Sequence, residues 1–357
     1  MKIIFFQTST VKTLFLGLFS AFTLVISQEK AFAQVVAPST HKGELTYQNP
    51  VFNHDFPDPN LVKAKDGFYY AYSTQINWSR DNFGGRYVIP ILRTKNLVDW
   101  EVVGDALAKK PDWKQAGGIW APDAAYYKGK YYLYYSFSTW GDPNPGIGVA
   151  VADKPEGPFH DKGKLFLSKE IGVDNSIDAF LFEDKGKPYL VWGSFHGIFG
   201  VELSADGLQV KGNKFQLACN AYEGSYIYKK GKYYYYLGST GSCCEGEKST
   251  YEVKVGRSKQ FKGPYLDKEG KSLLTNGGTL LVRRNASTEG FVGAGHNGDI
   301  IEDKAGQTWM LYHAFKKGQP GTGRVMLLDK INWQNGWPAI ENSEPSIKRI
   351  KGPVFKN

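Results

Sequence analysis

The 357-residue chain has little cysteine, with only three such residues. These are Cys219, Cys243 and Cys244, and none has the Cys-X-X-Cys spacing of a zinc site. Adjacent cysteines lie about 3.8 Å apart at Cα, below the usual disulfide minimum of about 4.4 Å, so a Cys243–Cys244 bridge would need strain. A bridge from Cys219 to either of them is possible in an exported protein, and free buried thiols are equally compatible with the sequence.

The chain also lacks a second long apolar run. Residues 14–26 are apolar, follow Lys2 and Lys12, and precede the small residues of Ala31-Phe-Ala33. This pattern predicts a signal peptide over residues 1–33 with cleavage before Gln34. Because a membrane helix needs about 20 apolar residues, we expect no membrane span and a secreted or periplasmic protein.

No Ser/Pro-rich linker and no block of charge interrupts the rest of the chain. We therefore expect a short N-terminal arm over residues 34–45 and one domain over residues 46–357. The formal net charge is +9, but the lysines are scattered through turns such as residues 128–130 and 229–232. A nucleic-acid-binding protein would cluster them, so we expect no nucleic-acid partner. We take the protein to be a monomer.

Helical periodicity is absent too, whereas aromatic residues make up 15% of the chain and glycine occurs 41 times. A Gly-Lys-Tyr-Tyr-like phrase recurs five times, at residues 67–74, 129–136, 186–193, 231–238 and 306–313. A second apolar phrase follows each copy, at residues 89–94, 147–152, 199–204, 251–256 and 323–328. Turn and outer-strand phrases come next, at residues 97–100, 157–159, 208–210, 263–265 and 331–333. Such a repeat predicts an all-β fold, a five-bladed β-propeller with four-stranded blades.

One polar residue stands upstream of each phrase: Asp58, Asp123, Asp178, Glu223 and His296. The first strand of a propeller blade lines the central axis, so these residues should meet at one mouth of the channel. Taken singly, each carboxylate is better explained as a turn or surface residue. Taken together, Asp58, Asp178 and Glu223 provide an ionised base, a protonated acid and a group that keeps the acid's pKa high. This set predicts glycoside hydrolysis.

Asp123 differs from these three because it belongs to Trp120-Ala-Pro-Asp123. We assign Asp123 to structure, bonded to neighbouring backbone, and expect Trp120 to face the cleft. His296 lies among glycines and is expected to contact sugar or a cation in the channel. The predicted substrate-binding residues are Trp120, Asn175, Ser176, Ser194, Phe195 and Arg324.

The motifs together resemble glycoside hydrolase family 43, and within it the arabinan-degrading enzymes. They are Pro57-Asp-Pro59, Gly118-Ile-Trp-Ala-Pro-Asp123, Asn175-Ser-Ile-Asp178, Tyr222-Glu-Gly224 and Gly295-His-Asn297. The resemblance implies inversion at the anomeric carbon, with Asp58 as general base, Glu223 as general acid and Asp178 as the residue that orients the acid and adjusts its pKa. It also implies a Ca²⁺ ion in the channel near His296 and no organic cofactor. The substrate implied is arabinan, a side chain of pectin, or its oligosaccharides.

The first motif departs from the arabinanase pattern, because Phe-Pro separates His54-Asp55 from Asp58-Pro59. The spacing to Tyr69 favours Asp58 over Asp55 as the base. Two alternatives therefore stand beside an endo-acting arabinanase. One is an exo-acting α-L-arabinofuranosidase or β-xylosidase of the same family, and the other is a non-catalytic sugar-binding propeller.

Overall fold

The computed structural model describes residues 44–79, 81 and 83–355, which belong to one structural unit. The predicted signal peptide and all but the last two residues of the predicted arm lie outside the described residues. The first strand begins at Thr46.

Nearly all regular structure is β-strand. In chain order the strands are β1 (Thr46–Tyr47), β2 (Asn60–Lys63), β3 (Tyr69–Tyr72), β4 (Ile76–Asn77), β5 (Arg86–Tyr87), β6 (Pro90–Thr94), β7 (Glu101–Asp105), β8 (Gly118–Tyr127), β9 (Lys130–Ser138), β10 (Gly146–Ala152), β11 (His160–Leu167), β12 (Phe180–Asp184), β13 (Lys187–Trp192), β14 (Ile198–Leu203), β15 (Val210–Ala218), β16 (Glu223–Lys230), β17 (Tyr233–Thr240), β18 (Glu252–Ser258), β19 (Thr279–Val282), β20 (Phe291–Gly295), β21 (Ile300–Glu302), β22 (Thr308–Lys316), β23 (Arg324–Gln334), β24 (Trp337–Ala339) and β25 (Ile350–Lys351). The longest helix among the described residues is the four-residue α1 (Ser168–Ile171), and four short 3-10 turns complete the inventory: Gly246–Lys248, Leu273–Thr275, Pro320–Thr322 and Glu341–Ser343.

These strands form the predicted five-bladed propeller with four-stranded blades. Four blades are antiparallel sheets in the orders β2-β3-β6-β7, β8-β9-β10-β11, β12-β13-β14-β15 and β16-β17-β18-β19. The fifth blade has the order β20-β22-β23-β24, and its inner strand is split, so that β21 also pairs with β22. The recurrent aromatic phrases form the second strand of each blade, as the sequence indicated.

The outermost strands lie later in the chain than the sequence phrases suggested. Residues 97–100 and 157–159 are turns that precede β7 and β11, and residues 331–333 belong to the end of β23. In the fourth blade the phrase at residues 263–265 is separated from β19 by a turn-rich segment that contains a 3-10 helix. The sequence placed these strands too early because the outer-strand phrases are only three or four residues long. The turns beside the strands contain apolar residues too, so the two cannot be told apart by pattern.

The N-terminal segment closes the ring against the fifth blade. The backbone of Phe52 pairs with that of Met326 in β23, and the Phe56 N–H donates to the Arg324 carbonyl at 2.9 Å. Near the other end of the chain, β25 pairs with β1. Segments distant in sequence thus fix the position at which the chain enters the first blade, two residues before Asp58.

Buried aromatic and aliphatic side chains fill the spaces between neighbouring blades. Tyrosines of the recurrent phrase, such as Tyr72, Tyr134 and Tyr236, are fully buried there. Most tyrosines are therefore core residues, as expected for twisted strands. Within the described residues, no helix is long and apolar enough to cross a membrane.

Candidate active site

Each inner strand carries a backbone kink, which lies near the start of the strand in four blades and between β20 and β21 in the fifth. Asp58, Ala121, Asp178 and His296 all have positive φ angles, between 39° and 59°, and Gly224 has φ 57°. A positive φ is unfavourable for residues other than glycine. Four non-glycine residues at matching points therefore indicate that the fold holds these kinks in place, and such conformations concentrate at functional sites.

A side chain from the preceding blade fixes each kink by accepting its backbone N–H. The pairs are Asp58 to His313 Nδ1 (3.0 Å), Ala121 to Thr74 Oγ1 (2.7 Å), Asp178 to Ser136 Oγ (2.9 Å), Gly224 to Asp178 Oδ2 (3.2 Å) and His296 to Ser239 Oγ (2.8 Å). The acceptors Thr74, Ser136 and His313 are the last residues of three copies of the aromatic phrase. The repeat therefore sets the blade-to-blade geometry on which the site is built.

This pattern corrects the expected equivalence of the five upstream polar residues. The kink residue of the second blade is Ala121, and Asp123 lies two residues further on, inside β8. His296 follows β20 rather than preceding it. Asp123 is therefore deeper along the channel than Asp58 and Asp178.

Asp58 is surrounded by positive and polar groups. Its Oδ1 lies 3.1 Å from Arg324 Nη1 and 3.3 Å from His296 Nδ1, and its Oδ2 accepts the Thr74 hydroxyl at 2.6 Å. Burial alone would raise the pKa of Asp58, but the Arg324 guanidinium, followed by His296, outweighs burial and holds the pKa well below its usual range. Asp58 is therefore a carboxylate at all ordinary pH values.

Glu223, the first residue of β16, has the opposite environment. Burial is the largest cause that raises the pKa of Glu223, to about 7, and the Asp58 charge contributes, while a hydrogen bond from Ser194 opposes the rise. Ser194 Oγ lies 2.6 Å from Glu223 Oε2, and Asn175 Nδ2 donates to Ser194 Oγ at 3.0 Å. Glu223 is thus protonated over much of the range in which Asp58 is ionised.

Asp178 interacts electrostatically with both Glu223 and Asp58. Burial, then Glu223, then Asp58 raise its pKa well above the usual value. Its Oδ2 accepts the N–H of Gly224, the residue after Glu223. This contact ties Asp178 to the backbone that carries Glu223, and the two carboxyl groups disfavour each other's ionisation.

The other predicted contacts fall into two groups. Trp120 is half-buried next to the exposed Trp140, with ring centroids 5.7 Å apart, and Arg324 and Phe195 are half-buried. Ser176 is fully buried, and its hydroxyl donates to the Val173 carbonyl and accepts the Trp192 indole N–H. Ser176 therefore supports the loop before Asp178, and this placement argues against a direct sugar contact.

Beneath the mouth, a small cavity of about 30 Å³ lies on the channel axis. His296, Asn297, Asn60 and Asp123 are among the residues that line it. The buried Oδ1 atom of Asn297 has no hydrogen-bond partner among the described residues. No group of three His, Cys, Asp or Glu side chains within the described residues is arranged to hold a metal.

Several residues around the site were not singled out by the sequence analysis. Thr74 and His313 hold Asp58, and Asn60 bridges Asp123 and Asp299 with Nδ2 contacts of 2.8 and 3.0 Å. The sequence did contain a signal for Thr74 and His313. Each is the last residue of a copy of the aromatic phrase, and each has a polar side chain where the preceding residues are mostly aromatic or apolar. Asp299 had no such signal, because the split inner strand of the fifth blade obscures its position.

The three cysteines take the arrangement that the sequence analysis disfavoured. Cys243 and Cys244 are joined in a disulfide, and Cys219 is free. Their Cα atoms are 3.8 Å apart, as adjacent residues require, so the usual minimum separation did not exclude the bond.

Comparisons with known proteins all lead to glycoside hydrolases. The sequence model described as "Glycosyl hydrolases family 43" matches residues 47–338. An extracellular endo-α-(1→5)-L-arabinanase of Bacillus subtilis is 32% identical over 79% of this chain and 86% of its own length. An extracellular exo-α-(1→5)-L-arabinofuranosidase of Cellvibrio japonicus is also 32% identical, over 81% of this chain and 87% of its own length.

Among solved structures, a Cellvibrio cellulosa α-L-arabinanase in complex with arabinohexaose superimposes with a TM-score of 0.70. It is 29% identical, and the alignment covers 81% of this chain and 96% of that one.

Proposed function

The chain belongs to Glycosyl hydrolases family 43 and is a glycoside hydrolase, and from this premise we propose that it cleaves α-1,5-linked L-arabinofuranosyl bonds in arabinan or arabino-oligosaccharides. The substrate assignment rests on relatives from two genera, one named as an endo-α-(1→5)-L-arabinanase and the other as an exo-α-(1→5)-L-arabinofuranosidase. The arabinohexaose bound to a structural relative supports the same chemical class.

The single observation that carries the mechanism is the contrast between the surroundings of two carboxyl groups at one channel mouth. Asp58 lies 3.1 Å from the Arg324 guanidinium, which holds its pKa well below the usual range, whereas burial raises the pKa of Glu223 to about 7. A hydrolase that uses separate base and acid catalysts needs this combination.

The proposed reaction is a single displacement with inversion. The Asp58 carboxylate removes a proton from a water molecule while the water oxygen forms a bond to the anomeric carbon. The bond from that carbon to the glycosidic oxygen breaks, and Glu223 transfers its proton to the leaving oxygen. Asp178 orients Glu223 through Gly224 and keeps the acid's pKa high. The geometric requirement is room for the water between the carboxyl groups of base and acid, about 6.5–9.5 Å.

Inversion is tested by recording the ¹H NMR spectrum of the first arabinose product before mutarotation. The β anomer is expected as the initial product from the α-linked substrate. Initial α product would contradict the assignment of Asp58 as a base for water.

The mode of attack has two candidates, because one close relative is named as endo-acting and another as exo-acting. We propose endo cleavage, in keeping with the endo-arabinanase of Bacillus subtilis. Debranched linear arabinan distinguishes the modes: endo cleavage releases long oligosaccharides early, whereas exo cleavage releases one short product throughout. The second result would establish the exo-acting alternative.

A hydrated calcium ion in the axial cavity is a further part of the proposal. Ca²⁺ takes about six to eight oxygen ligands, and the orphaned Asn297 Oδ1 and the His296 ring line a cavity that has room for water. These residues would hold the ion with water completing its shell, and its charge would further favour the ionised form of Asp58. A chelator should lower the melting temperature, and Ca²⁺ should restore it. An unchanged melting temperature in both treatments would contradict the site.

We also propose that the protein is exported and acts as a monomer outside the cytoplasm. The names of the two relatives include the word extracellular, and the basic and apolar N-terminus fits a cleaved signal. N-terminal sequencing of the protein from its native host should begin at Gln34, and sedimentation should give one chain. An N-terminus at Met1 would contradict export by this route.

A further inference from the structure

The joined cysteines lie in the loop between β17 and β18. Cys244 is exposed and Cys243 is half-buried. The loop leads directly to Tyr251, a fully buried residue whose electrostatic neighbours include Glu223, Asp178 and Asp58. The disulfide therefore lies at the surface next to the catalytic carboxylates.

Contacts on both sides of the cysteines anchor this loop. The N–H of Thr250 donates to the Ser242 carbonyl at 3.1 Å, and the N–H of Ser242 donates to Thr250 Oγ1 at 3.0 Å. Further along, the Glu247 carboxylate accepts the N–H of Gly318 in the neighbouring blade. These hydrogen bonds hold in place the loop that carries the two sulfur atoms.

The Arg324 guanidinium contacts the side chains of Asp58 and Cys244. Nη1 lies 3.1 Å from Asp58 Oδ1 and 3.8 Å from Cys244 Sγ. The backbone of Arg324 is held separately, since its N–H donates to Asp55 Oδ1 at 2.8 Å. The sulfur of Cys244 is therefore in a position to restrain the guanidinium next to Asp58.

We propose that the Cys243–Cys244 disulfide is a positioning group for the reaction: it holds the Arg324 guanidinium against Asp58. The proposal rests on the proposed function of Asp58 as the general base. Sulfur is polarizable and a weak hydrogen-bond acceptor, so it can contact the cation without competing with the carboxylate for it. Joining two adjacent residues removes the side-chain freedom that separate thiols would have.

The guanidinium lies 3.1 Å from the proposed base, so its displacement should have a specific signature. The kcat should fall while KM changes little, because the displacement disturbs the base and not the bound substrate. A purely structural role for the disulfide would lower the melting temperature without lowering kcat at a temperature where the protein is folded.

The experiment compares the double variant Cys243→Ala/Cys244→Ala with Cys219→Ala, which removes the free cysteine. The kcat and KM on debranched arabinan are measured near pH 6, at a temperature where each variant is folded. We expect the double variant to lose about three- to tenfold in kcat, with KM within about twofold of wild type. The same pair of substitutions should leave kcat unchanged in an Arg324→Gln background, because the contact is already lost there. Cys219→Ala should keep the wild-type kcat.

A second measurement uses the wild-type chain and decides the matter if the double variant does not fold. After reduction with a phosphine, thiol titration should find three thiols instead of one, and kcat should fall by a similar factor with KM little changed. An unchanged kcat in the folded double variant or in the reduced protein would overturn the positioning role. Lack of wild-type activity on arabinan would instead contradict the proposed substrate, and kcat would then be measured on an aryl arabinofuranoside.

Discussion

Two groups of buried carboxylates lie along the propeller channel, and they differ in how their oxygens are satisfied. In the deeper pair, Asp123 accepts both the Asn60 amide and the Leu181 N–H, at 2.8 Å each, and Asp299 accepts Asn60 and the Leu61 N–H. At the mouth, Glu223 accepts the Ser194 hydroxyl and interacts with the Tyr251 hydroxyl, and Asp178 accepts the Gly224 N–H.

Burial raises the pKa in both groups, so a raised pKa does not separate catalysis from structure. Burial raises the pKa of Asp299 to about 7, the same value as that of Glu223. The difference is that amide and backbone N–H groups of neighbouring inner strands hold the deep carboxylates, whereas the mouth carboxylates interact with the Arg324 guanidinium. Proximity to this cation distinguishes the proposed catalytic group here.

The largest effect on activity should come from substitution of the carboxyl groups at the channel mouth. Glu223→Gln and Asp58→Asn are each expected to lower kcat/KM on arabinan by about 10³-fold or more, because each removes a proton-transfer group. Asp123→Asn is the matched control, and its activity should stay within about threefold of wild type at a temperature where it is folded. Equal losses at Asp123 and Glu223 would remove the distinction between the two groups.

Arg324→Gln should have the next largest effect. Removal of the cation beside Asp58 leaves a buried carboxylate with weaker compensation, so kcat/KM should fall by about 10- to 100-fold. The acid limb of the pH profile should also rise. A loss of activity with an unchanged acid limb would show that Arg324 acts on the substrate and not on the base.

The deep pair should matter for stability. Asp123→Asn leaves an amide N–H₂ facing either the Asn60 amide or the Leu181 N–H, and we expect a loss of about 1–3 kcal/mol in the free energy of unfolding. Urea unfolding measures this loss. A variant as stable as wild type would mean that the two hydrogen bonds do not connect the first three blades as described.

An effect of a size similar to that at Asp123 is expected in the pH dependence of stability at Glu223. Its folded pKa of about 7 exceeds the ordinary value of 4.5, so the folded state keeps a proton that the unfolded state loses. The stability linked to this proton is fully present below pH 4.5 and is lost as the pH rises through 7. Glu223→Gln cannot titrate, so its stability relative to wild type should increase over this interval, by on the order of 1–3 kcal/mol. A constant difference would contradict the raised pKa.

The same comparison shows what the sequence could and could not predict. The fivefold aromatic phrase predicted the propeller, because each copy supplies a second strand with a buried tyrosine face. The sequence also singled out the three mouth carboxylates, and the structure brings them together. Asp123 was placed in the wrong register, because the kink residue of its blade is Ala121, which has no polar side chain to mark it. The Asp123–Asn60–Asp299 cluster depends on contacts between the first, second and fifth blades, which spacing within one blade does not reveal.

The pairing of the cysteines and the neighbours of Arg324 were also beyond the sequence. The cysteine pairing depends on the local conformation of the loop between β17 and β18, and the neighbours of Arg324 depend on where this loop meets the start of β23, a contact across 80 residues of chain. Periodicity predicts which residues share a blade, but loop conformation decides which side chains meet at its end.

The most direct test of the account measures how each variant depends on the leaving group. Turnover of a 2,4-dinitrophenyl arabino-oligosaccharide, whose leaving group needs no protonation, is compared with turnover of arabinan. If Glu223 is the acid and Asp58 the base, Glu223→Gln should recover to within about tenfold of wild type on the activated substrate, while Asp58→Asn should stay about 10³-fold or more below it. Recovery of Asp58→Asn, or equal losses in both variants on both substrates, would contradict the assignment of acid and base.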